Sequence, residues 1–303
     1  MEGLGDAFLA RLRDDLIQRR IASGLEYLER NRSALESLDP ARSGAGVLLG
    51  RLAQWVDIGF AGTELLRCVL ARFSRESRGS LPLLDFLHVK MAEGLLAFQG
   101  EEPDQAIRSF EVAASLAEEA GDAELLTISN FWIGRCLRQE GRYDDALNYT
   151  VRAREAAAAS GYGKIAAVIQ VLESWLIFQK NKLREAERIL RDAEAVLEQT
   201  DDYISRGNIQ SAYGRIARRE GRYDRALEHF ERAIALYKER DAHHRNLARS
   251  LVNMASVKRL VAVQLQRKLD RDAARRRERA RSHRTGSERE RLERLRREAF
   301  SHL

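Results

Sequence analysis

Apolar residues recur along most of this chain every three to four positions, in stretches of one helix length separated by short Gly- and Asp-containing breaks. That spacing is the mark of amphipathic helices, and runs of Val, Ile and Thr that would form strands are scarce. Residues 4–80 read as four helices, roughly 5–21, 23–38, 45–58 and 60–76, with breaks at Asp39-Pro40, Gly44–Gly46 and Gly79–Pro82.

Beyond residue 80 the pattern repeats. GRYDDAL at 141–147 and GRYDRAL at 221–227 stand 80 residues apart, with NKLREAE at 181–187 midway and EEPDQAI at 101–107 one step earlier, a period of 40. Alanines fall at 106, 146, 186 and 226, and small residues in the preceding helix at Gly94, Gly134, Ser174 and Gly214. Two antiparallel helices that pack closely need a small residue where they cross, which accounts for both series. Large residues (Phe110, Leu190, Phe230, with Thr150 a weak substitute) and a second small series (Ala113, Ala153, Ala193, Ala233) follow at helical spacing. Gly141 and Gly221 are placed to supply left-handed turns, and Asp144 and Asp224 to cap the helices that follow.

The pattern resembles the tetratricopeptide repeat in a 40-residue form, like the arrays of bacterial signal-transduction regulators. The resemblance is strong in the units around 141 and 221, moderate in the other two, and covers roughly 82–262; the helix-ending proline common in the family is missing. It implies an all-α, right-handed superhelical solenoid of antiparallel helix pairs. Three regions follow: 1–80 as divergent repeats or an N-terminal cap, 81–262 as the array, and 263–303 as a basic extended helical hairpin. Residues 1–80 lack the small-residue signature at Gln54 and Leu66. In the last region a fifth hairpin is expected, turning near Thr285-Gly286 and returning through RREAFSHL at 296–303. Met254 fills the small position of this unit, and the chain stops before completing it. An incomplete last repeat, a fragment of a longer protein or an end covered by a partner is therefore expected.

In this family the first helix of each repeat lines the inner face. Projected onto this sequence, the lining is Phe131, Arg135, Arg138 and Gln139; then Val171, Trp175, Phe178 and Gln179; then Ser211, Arg215, Arg218 and Arg219; then Lys258 and Arg259. A basic groove with an aromatic centre suits a protein or peptide partner, acidic or bearing a terminal carboxylate, with Arg forks on oxygens and an aromatic burying an apolar anchor. The lysine–asparagine carboxylate clamp of chaperone-binding members is not reproduced, since Phe131, Arg135, Ser211 and Arg215 hold the equivalent positions.

Charge changes the picture at one place. The net charge is +6, but residues 267–298 hold 14 Lys/Arg against 7 acids, so the rest of the chain is near neutral. This arm offers a self-association surface, and the alternative function is a nucleic-acid-associated regulator touching phosphates through it. Interleaved acids, no aromatic before Phe300 and no base-reading motif weigh against that alternative. No catalytic motif, phosphate loop or metal-binding cluster is present, so neither an enzyme nor a cofactor is expected. Cys68 and Cys136 read as packed thiols in a reduced compartment. No secretory signal or membrane span is apparent, and the expected location is cytoplasmic.

Overall fold

The computed structural model describes residues 4–73, 78–239 and 245–300; His243-His244, expected in an inter-repeat turn, and residues 301–303 lie outside the described residues. Among those residues there are helices and no strands. Four hairpins form the array: α6 (Leu83–Gln99) with α7 (Pro103–Ala120), α8 (Ala123–Gln139) with α9 (Tyr143–Ala159), α10 (Gly163–Gln179) with α11 (Leu183–Leu197), and α12 (Tyr203–Arg219) with α13 (Tyr223–Lys238). Ahead of them lie α1 (Asp6–Ile17), α2 (Ile21–Arg30), α3 (Arg32–Glu36), α4 (Ala45–Ile58) and α5 (Thr63–Ala71). After them comes α14 (Arg245–Phe300).

The small-residue series does the work its spacing implied. A Cβ on Gly94 would stand 2.6 Å from the Phe110 ring and one on Gly214 would stand 2.7 Å from the Phe230 ring, so the second helix seats its large residue directly on the first helix's backbone. Ser174 uses its hydroxyl instead, donating to the Ala186 carbonyl at 2.9 Å. The turns repeat as closely: Glu101, Gly141, Asn181 and Gly221 all have positive φ (61°, 77°, 61° and 75°). In each case the next amide donates back to the carbonyl five residues before it, at 97, 137, 177 and 217. Two of the four turns therefore hold a non-glycine in the left-handed region, at about 1–2 kcal/mol each, tolerated because the hairpin packing imposes the turn.

Asp144 and Asp224 do not cap helices. Their helices begin at Tyr143 and Tyr223 with Arg142 and Arg222 at the N-cap and no side-chain bond there; both acids lie in the first turn, where the helix dipole favours them, and Asp144 also pairs with Lys180 of the next hairpin. The side-chain caps are Asp122, accepting from Leu125 N at 2.9 Å, and Asp202, accepting from Ser205 N at 2.9 Å.

Where four N-terminal helices were expected, the described residues hold at least five. α4 packs against α6 as closely as the repeats pair, because Gly46 lies on the Asp85 backbone and Gly50 on the buried His88. Burial and then the Arg51 charge push the His88 imidazole down to about 3, so it is neutral, and its Nδ1 has no hydrogen-bond partner among the described residues. Cys68 is exposed, not packed, while Cys136 is buried and its thiol is pushed up by burial to about 12.

The expected C-terminal hairpin does not form. α14 runs unbroken through Thr285-Gly286 for 56 residues, and 296–300 close this same helix instead of returning along it. Ala, Arg and Glu are strong helix formers, and a single interior glycine costs only about 1 kcal/mol. The Thr285 hydroxyl is absorbed by the Arg281 carbonyl at 3.0 Å. Among the described side chains the start of α14 is the part that packs: Leu247 with Ala233 and Tyr237, and Met254, Val257 and Val261 with Ala217 and Phe230. Met254 at the small position is accommodated because no second helix of its own pairs with it.

Candidate functional site: a strapped concave cavity

The N-terminal segment crosses the mouths of three successive repeats and pins itself to each. Arg13 donates to Glu124 at the start of α8 at 2.5 Å and to the Tyr162 hydroxyl at 2.9 Å. Lys164, opening α10, donates to Gln18 Oε1 at 3.1 Å and to its carbonyl at 3.2 Å. Arg19 reaches the Asp202 carboxylate with two nitrogens, Nε at 2.8 Å and Nη2 at 2.7 Å. The neighbouring Asp201 accepts from the amides of Ile21 and Ala22 at 2.6 and 2.8 Å, capping α2 from 180 residues away in sequence.

Local backbone explains how Arg19 reaches its partner. It sits just past the end of α1 with φ 53°, and the Arg20 amide bonds back to the Asp15 carbonyl at 2.8 Å. Glycine usually holds such a position; here an arginine holds it, and its side chain is 8% exposed against an Asp202 that is fully buried. The conformational strain is held by a buried ion pair in which both nitrogens share Asp202 Oδ2.

This strap, the inner faces of α8, α10 and α12, and the start of α14 line a partly open cavity of about 290 Å³. Phe131, Arg135, Arg138, Gln139, Val171, Trp175, Ser211 and Arg215 line it, as expected of inner-face positions. Phe178, Gln179, Arg218, Arg219, Lys258 and Arg259 do not. Phe178 is buried in the core between the third and fourth hairpins, with the Arg219 guanidinium 5.6 Å from its ring centroid. Lys258 and Arg259 are exposed, because α14 turns its Leu247–Val257 face to the array.

The lining arginines differ in what they have free. Arg135 lies 4.0 Å over the Trp132 ring and 5.0 Å from Phe98, and donates to Asp57 at 3.0 Å. Its charge is already matched, so it is a structural clasp more than a ligand contact. Arg138 stands 5.1 Å over Trp175, which in turn meets Tyr143 edge-on at 5.5 Å. Glu124 is neutralised by Arg13 and Arg51; burial raises its carboxyl, and these two guanidinium groups outweigh burial and leave it below the ordinary range. Thr127 is buried in the wall and its hydroxyl has no hydrogen-bond partner among the described residues.

At the far end Asn208, Tyr237, Asn246 and Arg249 join Arg215. None of these four was legible as a site residue; Asn208 alone carried a signal, standing one helical turn before Ser211 on the same face. Tyr237 donates to Asn208 Oδ1 at 2.8 Å and Asn246 Nδ2 donates to the same oxygen at 3.0 Å. Desolvation lowers the Arg215 guanidinium to about 10, a shift that the Tyr237 phenol opposes and that Arg249 and Arg218 increase. Among the described residues no group of three or more His, Cys, Asp or Glu is placed to hold a metal, and no helix is long and apolar enough to cross a membrane.

Comparisons with known proteins agree with this architecture. The tetratricopeptide repeat family profile matches residues 205–261. No curated protein matches the sequence. Among solved structures, the apo form of the quorum sensor NprR from B. thuringiensis superposes with TM-score 0.61 at 17% identity, over 85% of this chain and 70% of that one. NprR in complex with its cognate peptide NprX gives 0.62 at 16%, over 84% of this chain and 75% of that one. The APC/C hetero-tetramer Cut9–Hcn1 gives 0.59 at 14%, over 86% of this chain and 45% of that one. At these identities the likeness is one of fold, and the chain is a tetratricopeptide-type helical solenoid.

Proposed function

We propose that this chain is a protein-interaction module whose concave cavity holds a short peptide segment, acting without catalysis as the regulatory part of a cytoplasmic signalling protein. The observation that carries the reading is the composition of the cavity wall. Trp175, Phe131, Val171 and Ile165 give the wall an apolar stretch, and polar side chains such as Asn208, Ser211 and Arg215 stand beside it, as in sites that bury an anchor and orient it by a few hydrogen bonds. At about 290 Å³ the space suits a few side chains and not a folded domain. NprR, of the same fold, is described with a cognate peptide, which supports the reading by analogy of fold. An exposed free thiol at Cys68 is in keeping with a reducing compartment.

The test is selection from a random heptapeptide library on the immobilised full chain, followed by titration of the enriched peptides against tryptophan emission. Trp175→Ala, which removes the half-buried indole of that stretch, is expected to weaken them about tenfold or more. Enriched peptides that bind Trp175→Ala and Phe131→Ala as tightly as the parent would overturn the reading.

A further inference from the structure

α14 carries a second face that the array does not use. Leu247, Met254, Val257 and Val261 turn toward α12 and α13. Roughly a quarter turn round the helix, Leu251, Ala255, Lys258, Ala262, Leu265 and Leu269 recur at alternating steps of four and three residues, which keeps them on one line of the helix surface. All six are exposed, the three leucines at 42%, 56% and 55%. The line is about 27 Å long at the rise of an α-helix, and Asp272 and Arg276 occupy the next two steps and end it. Side chains repeating in this way form the seam of a helix pair, narrower than the apolar face that a helix lays on a core or a bilayer.

The stretch of helix that carries the seam has one sign of charge. Residues 245–269 hold six Lys/Arg and no Asp or Glu, with Lys258 inside the seam and Arg259 and Lys268 next to it in the helical repeat. Two copies pairing antiparallel through this seam would set Leu251 opposite Leu269 and Ala255 opposite Leu265. The same pairing would gather the cations of both copies, with Lys258 and Arg259 of each at the two-fold axis, and supply no acid to offset them. An acidic helix instead offers apolar side chains to the seam and carboxylates to its borders. A carboxylate opposite Lys258 would also fix the register, as a single polar residue in such a seam does.

We propose that this seam is a docking surface for an acidic amphipathic helix of a partner protein, lying along α14 over about five turns. The surface is separate from the concave cavity, and the proposal does not depend on the peptide reading of that cavity.

The experiment uses the full chain and two labelled synthetic peptides about three heptads long, read by fluorescence anisotropy. One has Leu at a and d and Glu at e and g, and the other carries Lys in place of Glu; like charges at e and g keep either from pairing with itself. The Glu peptide is expected to bind about tenfold or more tighter than the Lys peptide. Its affinity should fall about tenfold or more in L265E/L269E and hold in L292E/L295E, which changes the same arm outside the seam. All four of these leucines are exposed, so neither variant disturbs the packed part of the fold. W175A should leave the affinity unchanged, and K258E/R259E should turn the preference toward the Lys peptide. Equal binding of the two peptides overturns the proposal. So does binding that W175A abolishes and L265E/L269E keeps, which would place the peptide in the cavity. A chain that is dimeric by light scattering, made monomeric by L265E/L269E and binding neither peptide, overturns it in favour of a second copy. Sedimentation with phosphatidylserine vesicles that the same variant abolishes, with neither peptide bound, overturns it in favour of an anionic membrane surface, and no binding in any arm overturns it outright.

Discussion

Removing the Arg19–Asp202 pair is the sharpest test of how the N-terminal strap is held. In Arg19→Met the Asp202 carboxylate, fully buried, keeps only the Ser205 amide as a donor. An uncompensated buried charge of this kind costs about 3–5 kcal/mol. Asp202→Ser leaves the mirror-image defect, a guanidinium 8% exposed without its counter-ion, while a serine still caps α12. The double variant R19M/D202S removes both charges and keeps the cap, and replacing a buried pair by apolar and neutral groups is close to neutral, so it is expected within about 1 kcal/mol of the parent. The coupling energy should therefore be on the order of 2 kcal/mol or more. Urea unfolding followed by far-ultraviolet circular dichroism measures it, and hydrogen exchange over residues 6–30 shows whether the strap lifts before the array unfolds. Additive single-variant effects, with coupling below about 0.5 kcal/mol, would refute the view that this pair is a clasp.

His88 makes a pH prediction. Its folded value of about 3 lies below the ordinary imidazole value of about 6.5, so the unfolded chain takes up a proton first. Stability is full above about 6.5 and is lost as pH falls toward 3, at up to about 1.4 kcal/mol per unit; His88→Leu should flatten that slope in thermal melts, and an unchanged slope would refute the assignment. Gly214→Ala places a Cβ 2.7 Å from the Phe230 ring and is expected to cost about 1–3 kcal/mol, relieved in part by Phe230→Leu; a cost below about 0.5 kcal/mol would show that the crossing is loose. A chain ending at Ala262 should melt within about 1 °C of the full chain, since nearly every described side chain from Ala262 to Arg297 is exposed and solenoid stability is local. A loss of about 5 °C or more in calorimetry would mean the arm packs on the array.

The comparison of sequence with structure turns on distance along the chain. The 40-residue period, the Gly94/Phe110 and Gly214/Phe230 crossings and the inner-face positions of Phe131, Trp175 and Arg215 were legible because each is a contact within one hairpin or between neighbours, written in local spacing. The left-handed residues Glu101 and Asn181 were missed because their side chains do not announce the conformation that the hairpin imposes. The turn expected at Gly286 failed because a weak local breaker meets a long run of strong helix formers and no packing partner to reward a reversal.

What the sequence by itself determined is the class: helical hairpins, their number in the array, and an inner face with arginines and aromatics. Only the tertiary structure decided that residues 13–22 cross that face, that Arg135 is spent on Asp57, and that Arg19 is spent on Asp202. The reason is physical: periodicity encodes which residues are neighbours within a helix pair, whereas charge pairing across 70 to 180 residues depends on where the curvature of the whole solenoid brings the chain together.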